Sequence, residues 1–237
     1  MAKGYAGRYL SVDLTEGRCS DFIIGDQLLK KFIGGSSLGA KVFLDGYPLD
    51  ADPFASESPL MVMTGPMVAS GFPGTSRFAV CAKSPLTGIW GEAACGGTFG
   101  PELKRAGYDG IVITGRAAGP VWLSIVEGEA RLFDAAGLWG KDLYETTDLL
   151  KKGEPGLKVL AIGPAGENLV RFAAIGNDKG HFIGRTGLGA VMGAKKLKAI
   201  CVRGSGKLAK ADESRYREIH KAALLEIKES ADRGARQ

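Results

Sequence analysis

Residues 181–200 read HFIGRTGLGAVMGAKKLKAI. Gly184, Gly187, Gly189 and Gly193 crowd together with Arg185 among them, and Lys195, Lys196 and Lys198 close the stretch. A glycine-rich loop that enters a helix lets backbone come close to a ligand. It also presents unpaired N–H groups and the positive end of a helix dipole. That arrangement suits a phosphate. Glycine clustering alone fits a flexible loop ahead of an amphipathic helix equally well. The small apolar run from Leu188 to Ala194 reads as the helix, and 199–202 as the strand after it.

Working outward, the same script occurs twice. LMVMTGP at 60–66, RFAVCAK at 77–83 and GGTFGPELKRAGYDGIVITG at 96–115 are followed by KVLAIGP at 158–164, VRFAAIG at 170–176 and GRTGLGAVMGAKKLKAICVRG at 184–204. Each copy runs strand, Gly-Pro turn, strand, glycine-rich loop, helix, strand. In this alignment Arg77-Phe78-Ala79 matches Arg171-Phe172-Ala173, and Gly100 matches Gly189. A fixed order of this kind marks a duplicated supersecondary unit. Two facing loops, each able to hold an anion, suit a ligand with two anionic ends.

The rest of the chain is read from periodicity and punctuation. Residues 7–14 and 19–24 form a hairpin. Asp26 caps a helix over 27–33, and Ser36 or Ser37 starts another over 38–44. A helix from Phe99 through 106 leads to a strand at 110–115. A hairpin at 120–126 and 130–133 precedes a helix over 142–152. Strands follow at 158–162 and 170–175. After a polar linker, 212–232 is a helix capped by Asp212, with His220 on it in solvent.

With 237 residues, 45% apolar and 24% charged, the composition is that of a soluble globular protein. The net charge of +5 is spread along the chain and indicates no nucleic-acid partner. No apolar run reaches the ~20 residues of a membrane span. The first residues lack a signal-peptide core, so the cytoplasm is the expected location. Cys19, Cys81, Cys95 and Cys201 form no CxxC pair. Three of them read as small apolar strand residues, and Cys95, beside Gly96 and Gly97, stands apart.

Familiar nucleotide motifs fail on spacing. Gly187, Gly189 and Gly193 place the third glycine one residue late for GxGxxG, and Lys207 stands where an acid belongs. Gly193-Ala194-Lys195 has no P-loop frame around it. His181 and His220 are the only histidines, and neither has a neighbouring metal-ligand partner.

Six blocks in order resemble the tungsten-containing aldehyde ferredoxin oxidoreductase family: FIGG with its Leu-Gly-Ala helix, SRFAVCAKSPLTG, GGTFGPELKRAGYDGIVITG, GLWGK, IGPAGENLVRFAAI and GRTGLGAVMGAKKLKAI. The resemblance covers about the first 210 residues, that family's N-terminal domain. It implies an α+β fold, internally duplicated, with two mainly antiparallel sheets and flanking helices. Residues 1–204 would be the cofactor-binding domain, and 205–237 a linker and the first helix of a helical domain.

The same resemblance implies a tungsten, less often molybdenum, bis-pterin whose two phosphates are bridged by magnesium. Arg77 matches an arginine that contacts the pterin. Ala94, Cys95 and Gly96 match one cofactor loop, and His181, Phe182, Gly184 and Arg185 match the second. The backbone carbonyls of Ala94 and Phe182 match the magnesium ligands. The 4Fe-4S cysteines of the family lie beyond residue 237, so the chain would be an excised domain or a separate subunit. Its partners would be the C-terminal helical domains, ferredoxin and, in some assemblies, a second copy. The other readings are a non-catalytic pterin- or phosphate-binding module and part of a related aromatic thioester reductase.

Overall fold

The computed structural model describes residues 3–234. The first strands form where apolar residues alternate: β1 (Tyr9–Asp13) pairs antiparallel with β2 (Arg18–Phe22). Two helices follow, α1 (Asp26–Phe32) and α2 (Gly35–Gly46). Then come β3 (Leu60–Met63), β4 (Phe78–Lys83), β5 (Trp90–Cys95), α3 (Phe99–Arg105) and β6 (Gly110–Thr114). The second half runs β7 (Val121–Val126), β8 (Glu129–Asp134), α4 (Leu143–Gly153), β9 (Lys158–Ala161), α5 (Pro164–Glu167), β10 (Ile175–Asn177), β11 (His181–Ile183), α6 (Leu188–Ala194) and β12 (Leu197–Arg203). A long helix, α7 (Glu213–Gly234), ends the described chain.

The two sheets are copies. The first has the order β2-β1-β6-β3-β4-β5 and the second, read from its other end, β8-β7-β12-β9-β10-β11. Directions match as well. β1 with β6 and β7 with β12 are the parallel pairings, and every other pairing is antiparallel. The duplication therefore reaches beyond the sequence repeat to include the leading hairpins.

Strand alternation sorts side chains into three apolar layers. Leu60, Val62, Val80 and Ile111 of the first sheet share one core with Leu160, Ile200 and Val202 of the second. The crossover helices α3 and α6 lie in that shared core through Phe99, Leu103, Leu188 and Val191. Each packs on the other half's sheet: α3 against β9 and β12, α6 against β3 and β4. On the outer faces, Met61, Met63 and Cys81 meet α1 and α2. Val159, Ala199 and Cys201 form the third layer with Leu150 of α4.

Several expectations are corrected. Val170 to Ala174 is not strand, with a turn at Arg171 and Phe172, and the strand is β10, three residues long. Pairing puts Ala79 opposite Met63 and Gly176 opposite Ala161, the last residues of β3 and β9. Ile175 is thus the counterpart of Phe78, and the two Arg-Phe-Ala segments are three residues out of register. Phe172 is in fact 70% exposed, whereas Phe78 is buried. The N-caps of α1 and α2 are Gly25 and Gly34, so Asp26 sits in the first turn and Ser36 and Ser37 inside the helix. Asp142 does cap α4, through a reciprocal capping box with Glu145. Asp212 accepts from the Arg215 N–H at 2.9 Å at the start of α7. His220 is not simply solvated: its ring stacks on Tyr216 and meets Phe72 edge-on.

Candidate functional site

β5 and β11 are the equivalent edge strands of the two sheets, and they lie next to each other. Sequence reading missed both. WGEAAC is rich in Gly and Ala, which carry little strand signal, and HFI is too short for any periodicity. Between these edges a cavity of about 480 Å³ is lined by Arg77, Glu92, Ala93, Ala94, Phe182, Gly184 and Arg185. Five of the eight predicted cofactor residues therefore share one cavity. A second cavity of about 440 Å³ shares Arg77 and Ala94 and extends to Gly34 and Gly35 at the start of α2.

The remaining three predicted residues flank the first cavity. Cys95 is buried. Burial pushes its thiol pKa up, against weaker opposing effects of the Asn177 amide and Arg77, so it is a neutral thiol at physiological pH. A Cβ built on Gly96 would meet only the His181 ring, 3.8 Å away. Gly97, at φ +86°, is held tighter: a Cβ there would lie 2.9 Å from both the His181 ring and the Asn177 amide. The first glycine-rich loop thus touches the β10–β11 hairpin.

Arg77 and Arg185 are exposed, and their guanidiniums make no hydrogen bond or ion pair within the described residues. Glu92, the one acid on the cavity wall, accepts from the Trp90 indole at 3.3 Å. Two unpaired guanidiniums beside backbone with free space form a surface able to take phosphate, each through paired hydrogen bonds. A Cβ at Gly184 would meet nothing within 4 Å, so this backbone faces open room.

The opening stretch is less a phosphate cradle than its glycines indicate. A side chain at Gly187, which has φ +73°, would run into the Arg171 carbonyl. One at Gly189 would run into Ala173 and Ala174, and one at Gly193 into Gly166. These three glycines allow close packing of α6, whose seven residues are all buried. Only Gly184 belongs to the cavity. The lysines are structural too. Lys195 donates to the carbonyls of Ser56 and Gly115, and Lys198 to that of Lys141 and to the Glu167 carboxylate. Lys196 donates to the Ala118 carbonyl.

The two halves of the duplicated sandwich meet at their edge strands around an arginine-lined cavity. The model of the aldehyde ferredoxin oxidoreductase N-terminal domain matches residues 9–204, and the chain belongs to that family. It is 40% identical over 227 residues to the tungsten-containing aldehyde ferredoxin oxidoreductase of Pyrococcus abyssi, covering 95% of this chain and 37% of that protein. It is 39% identical over 223 residues to the aliphatic sulfonate oxidoreductase, WOR-like subunit, of Pyrococcus furiosus, covering 86% of this chain and 35% of that protein. Among solved structures, the active-site complex BamBC of benzoyl coenzyme A reductase, with 1,5 dienoyl-CoA, matches at a TM-score of 0.95 and 35% identity, over 98% of this chain and 36% of that one. The chain spans little more than a third of the length of these relatives. Among the described residues no helix is long and apolar enough to cross a membrane.

Proposed function

We propose that the chain is the cofactor-binding base of an aldehyde:ferredoxin-type oxidoreductase and holds one tungsten or molybdenum bis-pterin, with magnesium, between its two halves. The observation that carries this reading is the cavity shared by Arg77, Ala94, Phe182, Gly184 and Arg185. Arg77 and Arg185 neutralise the phosphates. The Ala94 and Phe182 carbonyls serve the magnesium ion. Cys95, Gly96 and His181 form the floor and the contact between the loops. When bound, the cofactor supplies two-electron redox chemistry. In the whole enzyme an aldehyde and water would yield a carboxylic acid, two protons and two electrons, with a 4Fe-4S cluster and ferredoxin outside this chain as the electron acceptors. This chain's residues bind and orient. Residues 205–237 lead into the domain that completes the enzyme, a role that suits the half-exposed Ile219, Leu224 and Ile227 of α7.

Metal and pterin analysis of the intact protein tests the reading. About one tungsten or molybdenum and two pterins per chain are expected, with aldehyde-dependent ferredoxin reduction; a protein free of metal and pterin refutes it. The likeness to the benzoyl coenzyme A reductase complex favours a second reading, a reductase of aromatic thioesters. Turnover of aryl-CoA and not of aldehydes would establish that alternative.

A further inference from the structure

Asn177 is the last residue of β10 and is only 1% exposed. Its counterpart in the first half, by strand register, is Val80, which is wholly buried among apolar side chains. The fold itself therefore asks for an apolar residue here, and the amide breaks the internal symmetry. Its Nδ2 donates to the Gly96 carbonyl at 2.7 Å and lies 3.6 Å from the Cys95 sulfur. Its Oδ1 is buried without a hydrogen-bond partner. A buried unpaired acceptor is unfavourable, so packing alone does not account for the residue. The bond it does make crosses from the second half to the glycine loop of the first. Gly97, with no Cβ, lets that loop come down on the amide.

We propose that Asn177 is a positioning residue that ties the 94–97 loop to the β10–β11 hairpin, so that the two edges present their backbones to one shared ligand. The proposal rests on the cofactor reading above. β10 is anchored to β9 at Gly176 and Asn177, but β11 and the first-half loop have less support. β10 and β11 share three residue pairs, and the 96–98 segment lies between β5 and α3 without strand pairing. The Asn177 bond joins the two across the halves, beside the packing of Gly97 on His181 and a second cross-half bond from the Ser84 hydroxyl to the Thr186 carbonyl.

The test uses the intact protein with Asn177→Val, which copies the residue of the first half, and Asn177→Asp, which keeps the size and, measured at a pH where the new carboxyl is ionised, cannot donate. Tungsten and pterin retention should fall roughly fivefold in both, the equilibrium equivalent of one hydrogen bond. In protein stripped of cofactor, amide exchange should quicken at 95–98 and 181–185 while β9 and β12 stay protected. Should the valine variant fail to fold, the aspartate variant carries the same two measurements. Unchanged retention and exchange, or exchange that rises equally across β9, β10 and β12, overturns the positioning role. Wild-type protein without tungsten or pterin overturns the cofactor reading and this proposal with it. Tungsten-loaded wild type beside unaffected variants removes only the proposal.

Discussion

Ala94 and Phe182 occupy one position in the two halves of the duplication. Ala94 is the penultimate residue of β5 and pairs with Ala79, the second of β4. Phe182 is the penultimate residue of β11 and pairs with Gly176, the second of β10. Their side chains have nothing in common; what the duplication preserves is the backbone. The magnesium site proposed above would take one backbone carbonyl from each half at this shared position. The family resemblance pairs these two residues, and strand register shows why; the internal repeat alignment, three residues out of register, does not.

Arg77→Lys, Gly96→Val and Gly184→Val should each lower bound tungsten and pterin and leave the fold intact. Lysine cannot reproduce the paired hydrogen bonds of a guanidinium to phosphate, a loss of about 1.5–3 kcal/mol, or roughly ten- to hundredfold in affinity. The glycine variants put a branched side chain into space that is open in the fold. Metal analysis beside circular dichroism decides the matter. Full occupancy in all three variants would remove these residues from the site.

The duplicated helix glycines should respond unequally to alanine. Gly100 and Gly189 are each the second residue of a crossover helix. A Cβ on Gly100 would lie 3.1 Å from the Ser76 carbonyl oxygen, a contact that a small shift relieves. On Gly189 it would press on two backbone carbonyls at once. Gly100→Ala is expected within about 1 kcal/mol of wild type, helix propensity offsetting the crowding. Gly189→Ala is expected to cost ~1–3 kcal/mol by overpacking. Chemical denaturation of both variants reads the difference, and equal effects would argue against the packing described here.

Lys195 makes stability depend on alkaline pH. Burial lowers its pKa from 10.5 to about 8, partly countered by Glu57 and Asp13. Below pH 8 the ammonium is charged in both folded and unfolded chains, so its burial penalty is fully felt. Between about 8 and 10.5 the folded chain has lost a proton that the unfolded chain keeps, so this lysine's contribution makes stability rise with pH. Lys195→Met should remove up to ~3 kcal/mol of that dependence. The free-energy gap between variant and wild type, followed by urea titration from pH 7 to 10, should shift steadily in favour of wild type. A gap independent of pH would mean the lysine is not buried as a cation.

The Lys104–Asp109 pair should be costly to break from one side. The side chains are 0% and 1% exposed and 3.1 Å apart, and Asp109 also accepts from the N–H groups of Ala6 and Gly7. Asp109→Ala leaves the ammonium buried without its counter-charge and should destabilise by ~3–5 kcal/mol. In a double-mutant cycle, adding Lys104→Met should recover part of the loss. Additive losses would show that the two charges do not act as a unit.

The sequence determined the element types wherever a long run carried its own period, as in Leu60 to Met63, Gly110 to Thr114 and the α7 helix. It also determined the repeat, since the order of Gly-Pro turns, glycine loops and crossover helices is a linear property. The blocks around Arg77, Gly96 and Arg185 were likewise enough to place the chain in its family. Tertiary structure decided the rest. β5 and β11 exist because sheet pairing overrides the weak propensity of short or Gly/Ala-rich segments. Gly187, Gly189 and Gly193 serve packing because α6 is buried against backbone from distant parts of the chain, whereas Gly184 faces a cavity. Nothing local to a glycine distinguishes these uses, since the same missing Cβ permits both. Asn177 was hidden for a similar reason: only the meeting of two sheet edges brings its amide to Gly96.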